Sequence, residues 1–198
     1  MLCVVASWLG RTADQAVALV PERLFPVRLF IAVRPSAAAV DLLDRVPRPE
    51  VPRVHWLPPE QWHVTLRFLG DAEPDEVAAR LAAVPWGRMP PVTVTLGPAT
   101  EVLGQGVVIV PAAGCEVLVD RVVAATGGSG RDSEDRPFVG HLTLGRFRDK
   151  PPAGSIGTPI SAAFQVDEVL LVASQTKPEG AVHEVVARFP LLGEGEGD

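Results

Sequence analysis

Two short stretches of the chain repeat a pattern of side chains that can transfer protons and bind phosphate. Residues 61–70 read QWHVTLRFLG and residues 140–147 read GHLTLGRF, so each contains His-x-Thr-Leu. Near pH 7 an imidazole is the side chain most easily found in either protonation state. A Thr hydroxyl can donate a hydrogen bond to a phosphate oxygen, where negative charge builds up in the transition state of phosphate-ester chemistry.

Each motif lies in a short, apolar-rich run that predicts a β-strand. Residues i and i+2 of a strand share one face. His63 should therefore lie beside Thr65, and His141 beside Thr143, while the apolar residues between them point into a core. The hypothesis is a cleft with an imidazole and a hydroxyl from each side. One neutral ring would take a proton from water, and the other ring, protonated, would give one to the leaving oxygen.

A single His-x-Thr in a strand is usually structural, and zinc is the alternative ligand for histidines. This chain has only four histidines, and two of them fall in the same pattern, which favours the functional interpretation. There is no HExxH, and no Cys, His or carboxylate cluster has the spacing of metal ligands. We therefore expect no metal and no cofactor.

The composition is that of an ordinary globular protein. At 198 residues, with 47% hydrophobic and 21% charged residues, the chain can form one domain or one two-lobed unit. A net charge of −6 argues against binding long nucleic acid by its backbone, whereas a small anion or a nucleic-acid end remains compatible. Two cysteines make a disulfide framework implausible, so we expect a reducing cytoplasm. No apolar run reaches the length of a membrane span, and the apolar start lacks the basic residues of a signal peptide.

The pattern of apolar residues and breakers predicts alternating strands and helices in two similar halves. The predicted strands are 27–33, 54–56, the first motif to residue 69, 91–96, 106–110, the second motif, 162–174 and 181–189, the last two pairing as a hairpin. The predicted helices are 36–46, capped by Ser36, 74–84 and 115–125. This order indicates two α+β lobes that face one another. We expect residues 27–192 to form this single bilobal unit. Residues 1–26 are interpreted as an extension that is disordered or precedes the true start, and residues 193–198 as a disordered acidic tail.

The paired motifs resemble those of the two-histidine (2H) phosphoesterases. They are most similar to the RNA 2′,3′-cyclic phosphodiesterase branch, historically called 2′-5′ RNA ligases. Residues 28–33 (RLFIAV), 54–70 (VHWLPPEQWHVTLRFLG) and 136–146 (RPFVGHLTLGR) resemble further segments of that branch, and the likeness spans roughly residues 27–192. Gly140 stands where relatives usually have proline, and His183 where they often have tyrosine.

The resemblance implies a bilobal α+β fold in which antiparallel sheets line a central groove and helices lie outside. It implies metal-independent hydrolysis of 2′,3′-cyclic phosphates to 2′-phosphates, with His63 as the acid and His141 as the base that activates water. Thr65 and Thr143 would contact the phosphate. Arg146 matches a family arginine that neutralises phosphate, and a bulge at the preceding glycine would turn it towards the groove.

Other residues near the motifs have less defined roles. By alternation Arg67 shares a face with His63, so it is either a binding residue at the rim of the groove or a solvated arginine. Phe138 is a candidate for stacking on a base, or else a core residue. Three further polar residues are expected to be structural or exposed: His55, Ser174 and His183.

The sequence thus predicts a cytoplasmic, monomeric phosphodiesterase that acts on 2′,3′-cyclic ends of RNA or on small cyclic nucleotides. Hydrolysis of another cyclic phosphodiester and 2′-5′ ligation are alternatives within the enzyme class. A protein that binds RNA ends without turnover would use the same groove. A structural protein with coincidental histidines would instead have its two motif imidazoles far apart or buried.

Overall fold

The computed structural model of the chain describes residues 28–130, 137–177 and 180–193. The predicted extension at residues 1–26 lies outside them, as does most of the predicted tail. The described strands are β1 (Arg28–Val33), β2 (Val54–Trp56), β3 (Val64–Asp71), β4 (Val92–Leu96), β5 (Glu101–Leu103), β6 (Val107–Ala113), β7 (His141–Phe147), β8 (Ala162–Val166), β9 (Glu168–Lys177) and β10 (Gly180–Pro190). The described helices are α1 (Ala37–Leu43), α2 (Pro74–Ala82) and α3 (Glu116–Ala125).

The strands pair antiparallel in one continuous order, β10-β9-β1-β3-β7-β6-β4-β8, with β2 beside β7 and β5 beside β6. The two strands that carry the motifs, β3 and β7, meet at the centre through a single residue pair, Val64 and Leu142. The predicted α+β class with antiparallel sheets is confirmed, and so is the hairpin formed by β9 and β10. The division into two lobes stays a prediction, because the strands run as one sheet.

The helices pack against one face of this sheet, and the motif residues lie on the other face. Their buried residues join one apolar cluster with the inward residues of the strands: Ala39 and Leu43 of α1, Val77 and Leu81 of α2, and Leu118, Val119 and Val122 of α3. Alternation along β1 separates the two faces. Leu29, Ile31 and Val33 join the main core, whereas Phe30 and Ala32 form a small second cluster with residues of β9.

Local signals fix the helix starts much as predicted. Ser36 caps α1, its hydroxyl accepting a hydrogen bond from the Ala39 amide at 3.3 Å. Pro74 opens α2, where a missing amide hydrogen costs nothing. Cys115 directly precedes α3 and is fully buried, and burial raises the pKa of its thiol to about 11. It therefore packs as a small apolar residue.

Two strand predictions were incomplete. Residues 162–174 do not form one strand: β8 ends at Val166 and β9 begins at Glu168. The two strands lie far apart in the sheet, because β8 pairs with β4 and β9 pairs with β1. The short strand β5 was not predicted. Among the described residues, no helix is long and apolar enough to cross a membrane.

Candidate active site

The pair of Val64 and Leu142 places the two motifs in antiparallel register at the centre of the sheet. Both residues are fully buried in the main core, so the residues on either side of them point to the open face. In this register His63 lies beside Thr143, and Thr65 lies beside His141. His63 and His141 are therefore diagonal neighbours across the two strands. In a regular antiparallel ladder the Cα atoms of such neighbours are roughly 7–8 Å apart.

A rigid turn presents His63 to the open face. A 3₁₀ turn at Pro59–Gln61 precedes it, and the indole of the buried Trp62 donates a hydrogen bond to the Leu57 carbonyl at 3.0 Å. Nδ1 of His63 lies 2.6 Å from the Gln61 carbonyl oxygen. A carbonyl oxygen can only accept, so Nδ1 carries the hydrogen and Nε2 is the nitrogen left to exchange a proton.

His141 has the same backbone contact. Its Nδ1 lies 2.8 Å from the carbonyl oxygen of Val139, again two residues earlier. Gly140 is required between them, because a Cβ at this position would lie 2.2 Å from the Ala112 carbonyl oxygen. Both motif histidines are therefore held in the tautomer that leaves Nε2 available.

Two aromatic rings contact the His63 imidazole. Phe30 stacks on it with ring centroids 4.8 Å apart and an interplanar angle of 28°. His183 meets it edge-on at 5.3 Å and also contacts Phe30 at 5.0 Å. His183, which was expected to be structural or exposed, lies half-buried beside the first motif. The sequence offered one signal for His183, because relatives often have tyrosine at this position.

Burial and neighbouring positive charges disfavour the protonated form of His63. Burial is the largest cause, and the charges of His183, Arg34 and His141 act in the same direction, so the pKa of His63 falls to about 4 even though its hydrogen bond to the Gln61 carbonyl opposes the shift. The pKa of His183 is lowered as well, by burial and then by Arg34. His63 is therefore neutral at pH 7.

The motif threonines lie on the same face of the sheet as the motif histidines. Thr65 and Thr143 are both half-buried. Neither hydroxyl has a hydrogen-bond partner within the residues that the structure describes, and so each can bind a ligand oxygen.

A bulge in β7 determines where Arg146 lies. Thr143 pairs with Ile109 and Gly145 with Val108, so β7 has one extra residue between them. Leu144 and Gly145 are consecutively buried, and Arg146 is exposed. The extra residue shifts the in-and-out alternation of β7 by one, so Arg146 lies on the same face as Thr143. The sequence analysis expected a bulge at Gly145 to have this effect.

The predicted position of Arg67 was wrong, because β3 also contains a bulge. Ile31 pairs with Arg67 but Ala32 pairs with Thr65, so Leu66 is the extra residue. Arg67 consequently points away from the groove and is buried. Its guanidinium donates to the Thr126 hydroxyl at 2.6 Å, at the end of α3 where the helix dipole favours a cation. It is neither a rim residue nor a solvated one.

The same bulge turns Phe68 to the open face. Phe68 is cross-strand partner to Phe30 and is 46% exposed. Strict alternation from His63 would have placed it in the core, which is why sequence reasoning missed it. Phe138, the aromatic residue that was a candidate for base stacking, packs against the main core instead.

The remaining polar candidates lie further from the motifs. His55 is exposed on β2 and pairs with Arg146. Ser174 pairs with Arg28 and His183 across β9, which fits its predicted structural role. Within the described residues, no group of three or more His, Cys, Asp or Glu side chains is arranged to hold a metal ion.

Comparison with known proteins shows which family the chain matches. The family model described as the 2′-5′ RNA ligase superfamily matches residues 30–178. A curated relative, the RNA 2′,3′-cyclic phosphodiesterase of Geobacillus stearothermophilus, is 28% identical over an alignment of 187 residues that covers 85% of this chain. The chain spans 58% of the length of that relative.

Solved structures have the same fold. The protein TT0787 of Thermus thermophilus superposes with a TM-score of 0.66 at 26% identity, over 85% of this chain and all of the other. E. coli LigT, solved with 3′-AMP, gives 0.66 at 25% identity, over 84% of this chain and 99% of LigT. The match of the family model to three quarters of the chain, in the region that holds both histidine motifs, assigns the protein to the 2′-5′ RNA ligase superfamily of 2H phosphoesterases.

Proposed function

We propose that this protein hydrolyses the 2′,3′-cyclic phosphate ends of RNA or of small nucleotides to 2′-phosphates, with His63 and His141 as the acid and base. The observation that carries the proposal is the pair of Val64 and Leu142, which sets the two His-x-Thr motifs in antiparallel register on an open face. The names of the relatives support the reaction class, since one is a cyclic phosphodiesterase and another was solved with a nucleotide.

The antiparallel register suits displacement at phosphorus. The attacking water and the leaving oxygen lie roughly in line on opposite sides of the phosphorus atom. Two imidazoles related by a local two-fold arrangement can serve these two oxygens, each through Nε2. One ring removes the proton of water as the oxygen attacks, and the other protonates the sugar 3′-oxygen as its bond to phosphorus breaks. Each proton transfer raises the rate by a factor on the order of 10²–10⁴.

The reaction needs one proton on the pair of histidines. We assign the acid role to His63 and the base role to His141. The pKa of His63 is low because of burial and nearby positive charge. A bound cyclic phosphate brings a negative charge to this place, which opposes both causes and raises the pKa of His63. Substrate binding is thereby coupled to protonation of the acid.

The other residues of the open face serve binding. The hydroxyls of Thr65 and Thr143 donate to the non-bridging oxygens, where charge grows in the transition state. Arg146 supplies a positive charge that offsets the phosphate. Phe68 offers an exposed aromatic ring on which the terminal base can stack, a contact worth about 1–3 kcal/mol in nucleic-acid binding.

The test is turnover of a nucleoside 2′,3′-cyclic phosphate in the presence of EDTA. Wild type should give the 2′-phosphate, and His63→Ala and His141→Ala should each lose at least about a hundredfold in kcat. His55→Ala is the matched control for kcat, because it removes an exposed histidine outside the motifs. Its cross-strand partner is Arg146, so the comparison is made at saturating substrate, where kcat should equal that of wild type. Full activity in either motif variant would remove that residue from the mechanism, and loss of activity with EDTA would contradict a metal-independent reaction.

Ligation is the second candidate, favoured by the name of the superfamily. The same acid and base would allow a 5′-hydroxyl to attack the cyclic phosphate in place of water, giving a 2′-5′ linkage. Product analysis with and without a 5′-hydroxyl oligonucleotide separates the two reactions. A protein that only binds RNA ends would protect the cyclic phosphate and give neither product.

A further inference from the structure

Arg34 lies next to the first catalytic histidine, although neither motif contains it. Val33 is the last residue of β1 and pairs with Val64, the first residue of β3. The antiparallel register therefore continues to Arg34 opposite His63. Arg34 precedes Pro35, which biases its backbone to the extended conformation and so continues the alternation of the strand. Since Val33 is fully buried, Arg34 points to the open face, where it is exposed.

His183 lies on the other side of the same imidazole. Its ring meets His63 edge-on at 5.3 Å, and Phe30 holds both rings in place. The positive charge of Arg34 acts on both His63 and His183. The three residues thus form one corner of the groove.

At this corner, Arg34 supplies a positive charge and His183 supplies ring nitrogens, and no described protein group pairs with either. Within the described residues, no carboxylate forms an ion pair with Arg34, and neither ring nitrogen of His183 has a hydrogen-bond partner. Although acidic residues outnumber basic ones by 24 to 18 in the whole chain, no described carboxylate pairs with the arginine at this corner. Such an arrangement favours a ligand anion.

We propose that Arg34 and His183 form a second anion subsite, which takes a phosphate group of the substrate other than the one being hydrolysed. The inference rests on the proposed function and narrows its substrate class. At a cyclic-phosphate end of RNA, the nearest further phosphate is attached to the 5′-oxygen of the same sugar. The preferred substrate is then a nucleotide or oligonucleotide end that carries this 5′-phosphate, rather than an unphosphorylated nucleoside cyclic phosphate.

The two residues contribute in different ways. Arg34 carries a permanent charge with several donors that match phosphate oxygens. His183 donates from a ring nitrogen. Burial and Arg34 disfavour its protonated form, and an adjacent anion opposes this effect and raises its pKa. Both contacts strengthen when phosphate is present.

Binding of product-like nucleotides tests the subsite without relying on turnover. Adenosine 2′,5′-bisphosphate and adenosine 2′-monophosphate differ only in the 5′-phosphate, and calorimetry gives the Kd of each. Wild type should bind the bisphosphate at least about tenfold more tightly, as one charge-assisted contact provides. Arg34→Ala should bring this ratio close to one, and His183→Phe, which keeps an aromatic ring against Phe30, should reduce it about threefold or more.

Arg121→Ala is the matched control. Arg121 is also an exposed arginine, but it lies on α3, which packs against the face of the sheet opposite the motifs, so the ratio should stay at the wild-type value. A wild-type ratio near one, or an unchanged ratio in Arg34→Ala, would overturn the proposal. An unchanged ratio in His183→Phe alone would remove His183 from the subsite.

The same experiment separates this inference from the proposed function. A full bisphosphate preference in a protein that fails to open any 2′,3′-cyclic phosphate would disprove the hydrolase and leave the subsite standing. Turnover without a bisphosphate preference would disprove the subsite and leave the hydrolase standing.

Discussion

His63 and His141 have the same backbone contact but different surroundings. Each imidazole donates from Nδ1 to the carbonyl two residues earlier. Only His63 is enclosed by Phe30 and His183. In the proposed reaction, this asymmetry gives two chemically identical side chains opposite roles.

The pH dependence of kcat/KM should report the low pKa of His63. The free protein needs one proton shared between two histidines, so protonation of both inactivates it. Since the pKa of His63 is about 4, kcat/KM should rise with pH through about 4 and be close to its maximum by pH 6. An acidic limb centred near the ordinary histidine pKa of about 6.5 would contradict this.

A sulfur leaving group should reveal which histidine is the acid. A thiol has a pKa of about 8.5 and leaves without protonation, so a cyclic substrate with sulfur at the 3′ position bypasses the acid. His63→Ala should recover to within about tenfold of wild type on this substrate, whereas His141→Ala should stay at least about a hundredfold slower. Recovery of His141→Ala instead would reverse the two roles.

At the scale of single residues, the sequence was sufficient for the motifs and insufficient for their neighbours. The spacing of His63 and Thr65 predicted a shared face because both lie before the bulge. Arg67 and Phe68 follow the bulge at Leu66, and alternation therefore assigned each to the wrong face. A bulge depends on how the partner strand pairs, which the local sequence does not specify.

Contacts between β2 and β7 hold the second motif strand in place. The indole of Trp56 packs over Gly145, where a Cβ would lie 2.6 Å from its Cε3 atom and 3.0 Å from the His55 carbonyl oxygen. Trp56 is itself anchored by a hydrogen bond from Nε1 to the Pro49 carbonyl at 3.0 Å. The ring therefore has little freedom to yield to a larger residue.

Gly145→Ala should accordingly destabilise the protein by about 1–3 kcal/mol, the usual cost of overpacking, and should weaken substrate binding by displacing Arg146. Urea unfolding and KM measure these two effects. Gly127→Ala is the control, since a Cβ there would meet only ordinary contacts at 3.7 and 3.9 Å. Equal stability of the two variants would show that the contact with Trp56 does not constrain β7.

Elements were predictable where breakers mark their ends. Ser36 and Pro74 fixed the starts of α1 and α2. Residues 162–174 contain neither Gly nor Pro, so nothing in the sequence separated β8 from β9. Tertiary pairing divides them at Asp167, because β8 is required beside β4 and β9 beside β1. Long-range pairing of this kind has no local sequence signal.

On the scale of the whole molecule, one residue pair joins the two motif strands, while the helices cover the opposite face. The sheet order explains how histidines distant in sequence meet on an open surface. The expected boundaries of the domain at residues 27 and 192 stay predictions. Although the net charge is −6, Arg34 and Arg146 both lie on the face of the motifs, which favours a small anionic end over a long polynucleotide.

The central claim is that the two imidazoles of the motifs act on a single phosphorus atom. A crystal structure of the protein with orthovanadate and a nucleoside, which mimics the five-coordinate transition state, tests it most directly. Nε2 of His63 and Nε2 of His141 should each lie roughly 2.6–3.2 Å from a different apical oxygen of the same vanadate. Vanadate held by only one of the two rings, or bound away from both, would contradict the claim.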